Sequence, residues 1–243
     1  MLVEGQIRSQ KLSVMGALAF KTAMSRRIVP DFQNETGIHP EIVWEPTTVL
    51  MRRIADGERA DVVIATDDAI DELHRKGRVG HHGHARIAGA VLGIAVKSGV
   101  ALPDISTASR FREVLLNARS VAYSRGGASG IYFSDLLKRL GIADAINARA
   151  TVIAAGFTAE KVAGGEADIA IQQISELLIV PGVDVVGPFP EKYQVVTNFS
   201  AAIFSDAANP DAATRFIAAM QSAAAKEAYQ TSGLLPRFQP AFI

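Results

Sequence analysis

Short apolar runs alternate along this chain with longer stretches in which apolar residues recur every three or four positions. This alternation is typical of strands followed by amphipathic helices, and it predicts an α/β fold with a largely parallel sheet. The predicted strands cover residues 12–15, 41–44, 60–66, 85–97, 120–124, 151–154, 168–172, 183–186 and 197–204. The predicted helices are one that carries Phe20 to Phe32, one that carries Leu50 to Ile54, and others over 68–76, 107–117, 131–140, 158–163 and 211–231.

Two halves of similar construction follow one another without a Pro-rich or Ser-rich linker between them. We therefore expect two lobes, with the chain crossing between them inside strands, near His84 and near Pro190. The first lobe is predicted to comprise residues 1–83 and 191–243, and the second residues 84–190. The last predicted helix then returns to complete the first lobe.

Composition and charge narrow the classes of function. The 243 residues include 25 Lys and Arg against 25 Asp and Glu, so no net positive charge is present to attract nucleic acid or an anionic membrane. The absence of cysteine excludes disulfides, thiol nucleophiles and cysteine-ligated zinc. No run reaches the roughly 18 apolar residues of a membrane span. The sequence therefore predicts a globular protein without a nucleic-acid partner.

Small and hydroxyl residues fill the predicted strand-to-helix loops over residues 16–19, 46–48 and 126–130. Each loop places unpaired backbone N–H groups at the start of a helix, where the partial positive charge favours an anion. Meeting at one cleft, the loops would form an anion-binding site. The alternative is that Thr47, Thr48 and Ser129 serve only as helix caps.

Two charged residues flank these loops. Arg125 can meet a carboxylate or an oxyanion with two parallel N–H bonds, and the alternative is an ordinary surface arginine. Glu45 lies close to Thr47, and we expect its side chain to point away from a bound anion or to pair with an arginine.

Patterns typical of catalysis or metal binding are missing from the sequence. The histidines at 81, 82 and 84 lie in a loop where adjacent side chains point apart, which favours a solvated turn over a metal site. The segment Gly127–Ile131 lacks the final glycine of a nucleophile elbow. A general base would be needed in the cleft, and the sequence shows neither a pair of cleft carboxylates nor a histidine–serine pair. These observations predict a protein that is not an enzyme and that has no cofactor.

Four stretches are spaced through nearly the whole chain in this order: LSVMGALAFKTAM at 12–24, LMRRIADGERADVVIATD at 50–67, GIYFSDLLKRLG at 130–141 and YQTSGL at 229–234. In this order they resemble the periplasmic molybdate-binding proteins of ABC importers. The resemblance implies a type II periplasmic-binding-protein fold, which is α/β and holds its ligand between two lobes joined by strand crossings.

The resemblance also implies ligand contacts, position by position. The serine of the family's first loop falls on Ala19, the serine before the second helix falls on Thr47 or Thr48, and a backbone N–H donor falls on Ser129. The donor of the next loop falls near Ala155 or Gly156, and the family's tyrosine falls on Gln173. With the loop residues, the predicted ligand-binding set is Ala17, Ala19, Thr47, Thr48, Arg125, Ser129, Gly130, Ala155, Gly156 and Gln173.

This set differs from the family's pattern by the loss of two side-chain hydroxyls, at Ala19 and Gln173. A tetrahedral dianion offers only acceptors and needs donors almost exclusively. Gln173 and Arg125 still donate, and they suit a planar carboxylate at least as well. We therefore expect either a molybdate- or tungstate-like oxyanion or a small organic carboxylate, bound by a divergent branch of the family.

The function predicted from these residues is a solute-binding protein that delivers a small anion to an ABC importer permease, acting as a monomer. The alternative is a ligand-sensing effector-binding protein of the same fold without a transport role. The first six residues lack the plan of a signal peptide. We expect a periplasmic protein if a leader has been removed, and a cytoplasmic one if Met1 is the native start.

Overall fold

A ten-stranded mixed sheet runs through the molecule. The computed structural model describes residues 11–80 and 84–238. The strands are β1 Lys11–Ala17, β2 His39–Glu45, β3 Val62–Thr66, β4 Ala85–Lys97, β5 Val121–Ser124, β6 Thr151–Ile153, β7 Ile169–Gln173, β8 Val183–Pro188, β9 Val196–Ile203 and β10 Leu234–Pro236. Their order is β2-β1-β3-β9-β4-β7-β5-β6, with β8 and β10 also paired to β4.

Helices cover both halves of this sheet. They are α1 Lys21–Ala23, α2 Val29–Thr36, α3 Thr47–Ala55, α4 Asp67–Arg75, α5 Ala108–Asn117, α6 Ala128–Arg139, α7 Ala143–Asn147, α8 Thr158–Ala163, α9 Ile174–Leu177, α10 Pro210–Ala219 and α11 Ala223–Thr231. Short 3₁₀ segments at Leu18–Phe20 and Glu191–Tyr193 and a π-helical turn at Met24–Ile28 complete the helical structure of the described residues.

Pairing is parallel in the two outer groups of strands and antiparallel in the middle. β1 pairs in parallel with β2 and β3, and β5 pairs in parallel with β6 and β7. The middle strand β4 is antiparallel to β7, β8, β9 and β10. The expected parallel pairing therefore describes each outer group, whereas the strands that join the groups run the other way.

The long strand β4 belongs to both halves of the sheet. Its residues up to Val91 pair with β9, and its residues from Leu92 onward pair with β7 and β8. The change of partners thus falls inside this strand, several residues beyond His84. The lobe boundaries predicted after residues 83 and 190 stay predictions, while the register shows how one strand joins the two groups.

The end of the chain packs against its beginning. The ring of Tyr229 lies 5.6 Å from that of Phe20, and the ring of Phe216 lies 5.0 Å from that of Phe32. All four side chains are buried in one apolar cluster. This packing fixes the 3₁₀ segment that leads from β1 into α1, and that segment borders the site described below.

Some elements differ from the predicted ones. The single helix predicted over 211–231 is wrong, because two helices cover this stretch. The first ends at Ala219, and the second begins after Ser222, whose hydroxyl caps it by accepting the N–H of Ala225 at 3.1 Å. The helix predicted from residue 131 begins instead at Ala128, so its first turn includes three residues that the sequence places in a loop. α7, α9 and β10 are short elements that the pattern does not predict.

Candidate functional site

A cavity lies where strands β1, β5 and β7 end, and with its mouth it encloses about 420 Å³. This space includes open solvent, and about 30 Å³ of it can hold the centre of a water-sized molecule, which is room for about two waters. We call one side the first wall, and it consists of Ala17, Leu18, Ala19, Pro46, Thr47 and Phe199. The opposite side, the second wall, consists of Ser124, Gly127, Ala128, Ser129, Ala155, Gly156, Gln172, Gln173 and Glu176.

Two helices direct their N-termini at the cavity, one from each wall. The helix α3 begins after Pro46 and α6 begins after Gly127, and neither of these N-cap residues makes a side-chain cap. The first N–H groups of each helix therefore have no cap acceptor from these residues, and they carry the positive end of the helix dipole. Thr47 and Ser129 lie inside the helices, so they are not the N-caps that the alternative interpretation supposes.

Close packing positions the hydroxyl of Ser124 in the second wall. A Cβ atom at Gly127 would lie 2.8 Å from Ser124 Oγ, and one at Gly130 would lie 1.7 Å from the Ser124 carbonyl oxygen. Only glycine at these two positions allows the chain to wrap so tightly around the end of β5. Ser124 Oγ is buried and has no hydrogen-bond partner among the described residues, so it is available to a ligand.

The most buried polar groups of the cavity lie at the end of β7. Gln172 is held from both ends, since its Oε1 accepts the N–H of Thr158 at 2.8 Å and its Nε2 donates to the carbonyl of Gly156 at 3.0 Å. Gln173 has a buried Oε1 without a partner in the described part of the chain. One wall therefore presents an amide that is fully engaged beside an amide oxygen that is free to receive a donor.

Glu176 completes the second wall from the short helix α9. Its side chain is buried, and its Oε2 accepts the backbone N–H of Gln173 at 3.4 Å. Burial raises the pKa of Glu176 to about 7, while hydrogen bonds from the Gln173 N–H and the Gln172 side chain act in the opposite direction. Among the described residues of the lining, Glu176 alone is titratable. At neutral pH this carboxyl can both accept and release a proton.

The structure brings most of the predicted ligand-binding residues to the cavity. Those in the lining are Ala17, Ala19, Thr47, Ser129, Ala155, Gly156 and Gln173. Their position around one cavity is what the loop pattern requires, and direct contact between each of them and the ligand stays a prediction.

Three predicted site residues lie outside the lining. Thr48 is exposed, and its hydroxyl donates to the Gly126 carbonyl at 2.6 Å, which links the two walls across the mouth. The side chain of Arg125 is exposed. Gly130 is buried beneath Ser124, so its role in the structure is to allow the close packing.

The charged neighbour of the first wall behaves as the sequence indicates. Glu45 lies 3.7 Å from Arg53, which keeps its charge paired beside the start of α3. Groups of acidic residues and histidines that could hold a metal are absent from residues 11–80 and 84–238. His81 and His82 lie outside the described residues.

Sequence reasoning misses Ser124, Gln172 and Glu176. The sequence pattern places Ser124 at the end of a strand, and the polar pair Gln172–Gln173 that closes a buried strand is the signal that points to this site. Glu176 is the third residue of its helix and accepts the N–H of the N-cap residue Gln173, as in a capping box, but the helix has four residues and is too short to show periodicity. A buried carboxyl in the lining, which the sequence does not reveal, is thus identified only from the fold.

Comparison with curated proteins relates the chain to a family and to an enzyme. The family model described as bacterial extracellular solute-binding protein matches residues 12–235. An aconitate isomerase from a Pseudomonas species is 35% identical over 217 residues, which cover 87% of this chain and 82% of that protein. Within the described residues, no helix has the length and apolar character needed to cross a membrane.

Solved structures show the same fold at low sequence identity. The periplasmic molybdate-binding protein of Azotobacter vinelandii matches this chain with a TM-score of 0.78 at 19% identity. The match covers 93% of this chain and 100% of that protein. The sulfate-binding protein of Mycobacterium tuberculosis has a TM-score of 0.73 at 15% identity and covers 93% of this chain and 87% of its own. The predicted type II periplasmic-binding-protein fold is confirmed, as is the resemblance to the molybdate-binding proteins at the level of family and fold. The chain belongs to the bacterial extracellular solute-binding protein family.

Proposed function

We propose that this protein binds aconitate, or a small polycarboxylate very similar to it, in the cavity and interconverts the isomers of that acid. The observation that carries the proposal is the 35% identity to the aconitate isomerase over 87% of the chain. This proposal departs from the sequence-based prediction that the chain is not an enzyme. We propose an enzyme because that relative is named as an isomerase and because the titratable residue Glu176 belongs to the cavity lining.

The chemistry of the lining favours an organic acid over a bare oxyanion. A tetrahedral dianion presents acceptors in every direction, so it would place acceptors against Glu176 and the free Oε1 of Gln173, whereas a larger organic acid can present C–H groups to them. An organic acid places its carboxylates at the helix N-termini and leaves its carbon skeleton for the rest of the cavity. Leu18 and Phe199 of the first wall are buried and apolar, which suits such a skeleton.

Isomerisation of aconitate demands little of a protein besides proton transfer. The acid is a propene with one carboxylate on each carbon, and its isomers interconvert when a proton leaves the methylene carbon and another joins the vinylic carbon. The double bond moves by one position, and no oxidant or second substrate is consumed. A cavity with a buried acid–base group and several anion-binding N–H groups supplies the two elements that this reaction requires.

Proton NMR of purified protein mixed with cis-aconitate tests the proposal. We expect the signals of the trans isomer to grow with time, in proportion to protein concentration and with no third product. Propane-1,2,3-tricarboxylate, the saturated analogue, serves as a binding control in a thermal-shift assay. At a hundredfold excess over its dissociation constant it should stabilise the protein by about 2.7 kcal/mol. An unchanged spectrum together with a flat thermal response would show that this acid is not the ligand.

A second candidate function is capture of a small anion for an ABC importer permease, without turnover. The observation in its favour is the family match over residues 12–235, since that family is described as extracellular solute-binding proteins. In this role the protein would act in the periplasm as a monomeric receptor. A thermal-shift panel of molybdate, tungstate, sulfate and di- and tricarboxylates distinguishes the candidates. Stabilisation by one of these anions without any isomerisation favours the receptor, and a sensor role would instead require a partner chain that reads the bound state.

A further inference from the structure

We propose that Glu176 is the catalytic residue that takes the proton from one carbon of the substrate and returns it to the other. This inference rests on the proposed isomerase function and deepens it. It begins from geometry: Glu176 belongs to the lining of the cavity, it is buried, and it is the one titratable residue among the described lining residues.

The surroundings of Glu176 hold its carboxyl in place without neutralising it with a cation. Its hydrogen bonds come from the Gln173 N–H and the Gln172 side chain, both of which are neutral donors. A salt bridge would keep the carboxylate permanently ionised and weakly basic. A buried carboxyl with neutral partners instead has a pKa near the working pH, which is the condition for efficient general acid–base catalysis.

Two neighbouring polar atoms point to a ligand at the same place. Ser124 Oγ and Gln173 Oε1 belong to residues that line the cavity, and both atoms are buried without a hydrogen-bond partner among residues 11–80 and 84–238. Buried polar groups are satisfied in the great majority of cases, so these atoms are expected to be satisfied when the cavity is occupied. A bound polycarboxylate, in which one carboxyl group is protonated or a water accompanies the acid, can meet both atoms.

The proposed step balances in protons and electrons. The Glu176 carboxylate removes a proton from the methylene carbon, and the electron pair of that C–H bond forms a new double bond to the central carbon. The electron pair of the old double bond moves to the former vinylic carbon, which takes the proton back from the Glu176 carboxylic acid. Glu176 ends as a carboxylate, and the substrate keeps its composition while its double bond moves by one carbon.

The helix N-termini stabilise the intermediate in this scheme. Removal of the proton places negative charge on the allylic carbons and on the carboxylate oxygens conjugated with them. The uncapped starts of α3 and α6 present N–H groups on opposite walls, where such charge develops. The two walls therefore share the stabilisation of the negative charge, and the second wall alone holds the proton carrier.

The decisive experiment replaces Glu176 by glutamine, which keeps the shape and cannot carry the proton. Glu176→Gln should lower kcat for aconitate by about a hundredfold or more, and should leave the dissociation constant of propane-1,2,3-tricarboxylate within about threefold of the wild-type value. Glu176→Asp keeps a carboxyl group at a longer reach and should retain part of the activity. Glu160→Gln, an exposed glutamate on α8, is the matched control and should behave as the wild type.

A pH profile of the wild-type protein gives an independent readout if Glu176→Gln does not fold. The base must be ionised to start the reaction, so kcat/KM should fall as the pH is lowered through about 7. The inference is overturned if Glu176→Gln keeps more than about a tenth of the wild-type kcat, if it loses analogue binding and activity in parallel, or if the profile is flat. An inactive wild-type protein overturns the proposed function as well. An active wild type with an active Glu176→Gln variant overturns only the role of Glu176.

Discussion

The two walls of the cavity share a construction and differ in chemistry. Each contains the end of a parallel strand followed by the N-terminus of a helix, at α3 in the first wall and at α6 in the second. The first wall adds mainly small and apolar side chains, among them Ala19 and Phe199. The second wall adds two serine hydroxyls, two amides and a carboxyl. The comparison teaches that the backbone of both walls offers N–H groups suited to an anion, while the ionisable side chain and the amides are confined to one wall.

The largest effect is expected where the second wall is packed most tightly. Gly130→Ala places a Cβ 1.7 Å from the Ser124 carbonyl oxygen, so α6 must move away from β5. We expect this variant to lose about 3 kcal/mol or more of stability in urea unfolding and to lose ligand binding. Gly126→Ala is the control, because its Cβ would lie 3.5 Å from the nearest backbone atom, an ordinary contact. Equal stabilities for the two variants would show that the second wall is not constrained in this way.

The buried carboxyl of the second wall should make stability depend on pH. The pKa of Glu176 is about 7 in the folded protein against 4.5 as the ordinary value, so the folded state binds the proton more tightly. Stability is therefore lost as the pH rises from about 4.5 to about 7, and the penalty is complete above that range at about 3 kcal/mol. Urea unfolding of the wild type and of Glu176→Gln at both ends of this range measures it. A constant difference between the two proteins would contradict the assigned burial.

Removing one hydroxyl from each wall compares them directly. Ser124→Ala deletes a buried group without a partner in the described part of the protein, so stability should be unchanged or slightly higher while ligand binding weakens by about tenfold. Thr47→Val deletes a half-buried hydroxyl of the first wall, and we expect a change below about threefold. Isothermal titration with propane-1,2,3-tricarboxylate provides both values. A larger loss from the first wall would reverse the comparison.

The smallest effect is expected at Arg125, next to the second wall but outside it. Its side chain is exposed, so Arg125→Ala should change the dissociation constant of a carboxylate by less than about threefold at physiological salt. The sequence leaves two interpretations open for Arg125: an ordinary surface arginine, or a bidentate contact with a carboxylate ligand, whose loss corresponds to about thirtyfold or more. A measured loss of that size would place the guanidinium on the ligand and extend the second wall by one residue.

Local patterns are sufficient to predict most of the fold. The strand Ala85–Lys97 and the helix Thr158–Ala163 are predicted to the residue, because their apolar runs and flanking signals are contained in the segments themselves. The pattern misses the break after Met220 although Ser222 is a good cap, because the apolar spacing continues across it. It misses the helix α9 because four residues do not form a period.

The site is predictable as backbone and much less so as side chains. Loops that lead from strands into helices predict free backbone N–H groups. This rule identifies Ala17, Thr47 and Ser129, all of which line the cavity. The carboxyl of Glu176 is held locally by Gln172 and Gln173, but its place in the cavity lining depends on where β7 ends relative to β1 and β5, which a single sequence does not reveal. Arg125 is the opposite example. Its chemistry and its place beside the loop over residues 126–130 favour a ligand contact, but its side chain is exposed and lies outside the lining.

The hydrogen bond from Thr48 to the Gly126 carbonyl has a consequence for the residence time of the ligand. It joins the start of α3 to the loop before α6, beside the cavity lining, through a 2.6 Å contact that is exposed to solvent. Breaking a neutral hydrogen bond that water can replace costs on the order of 1 kcal/mol, so this contact would delay the release of a bound ligand only slightly. In the proposed isomerase each product must leave before the next turnover, and a contact that breaks easily serves that need better than a tight seal.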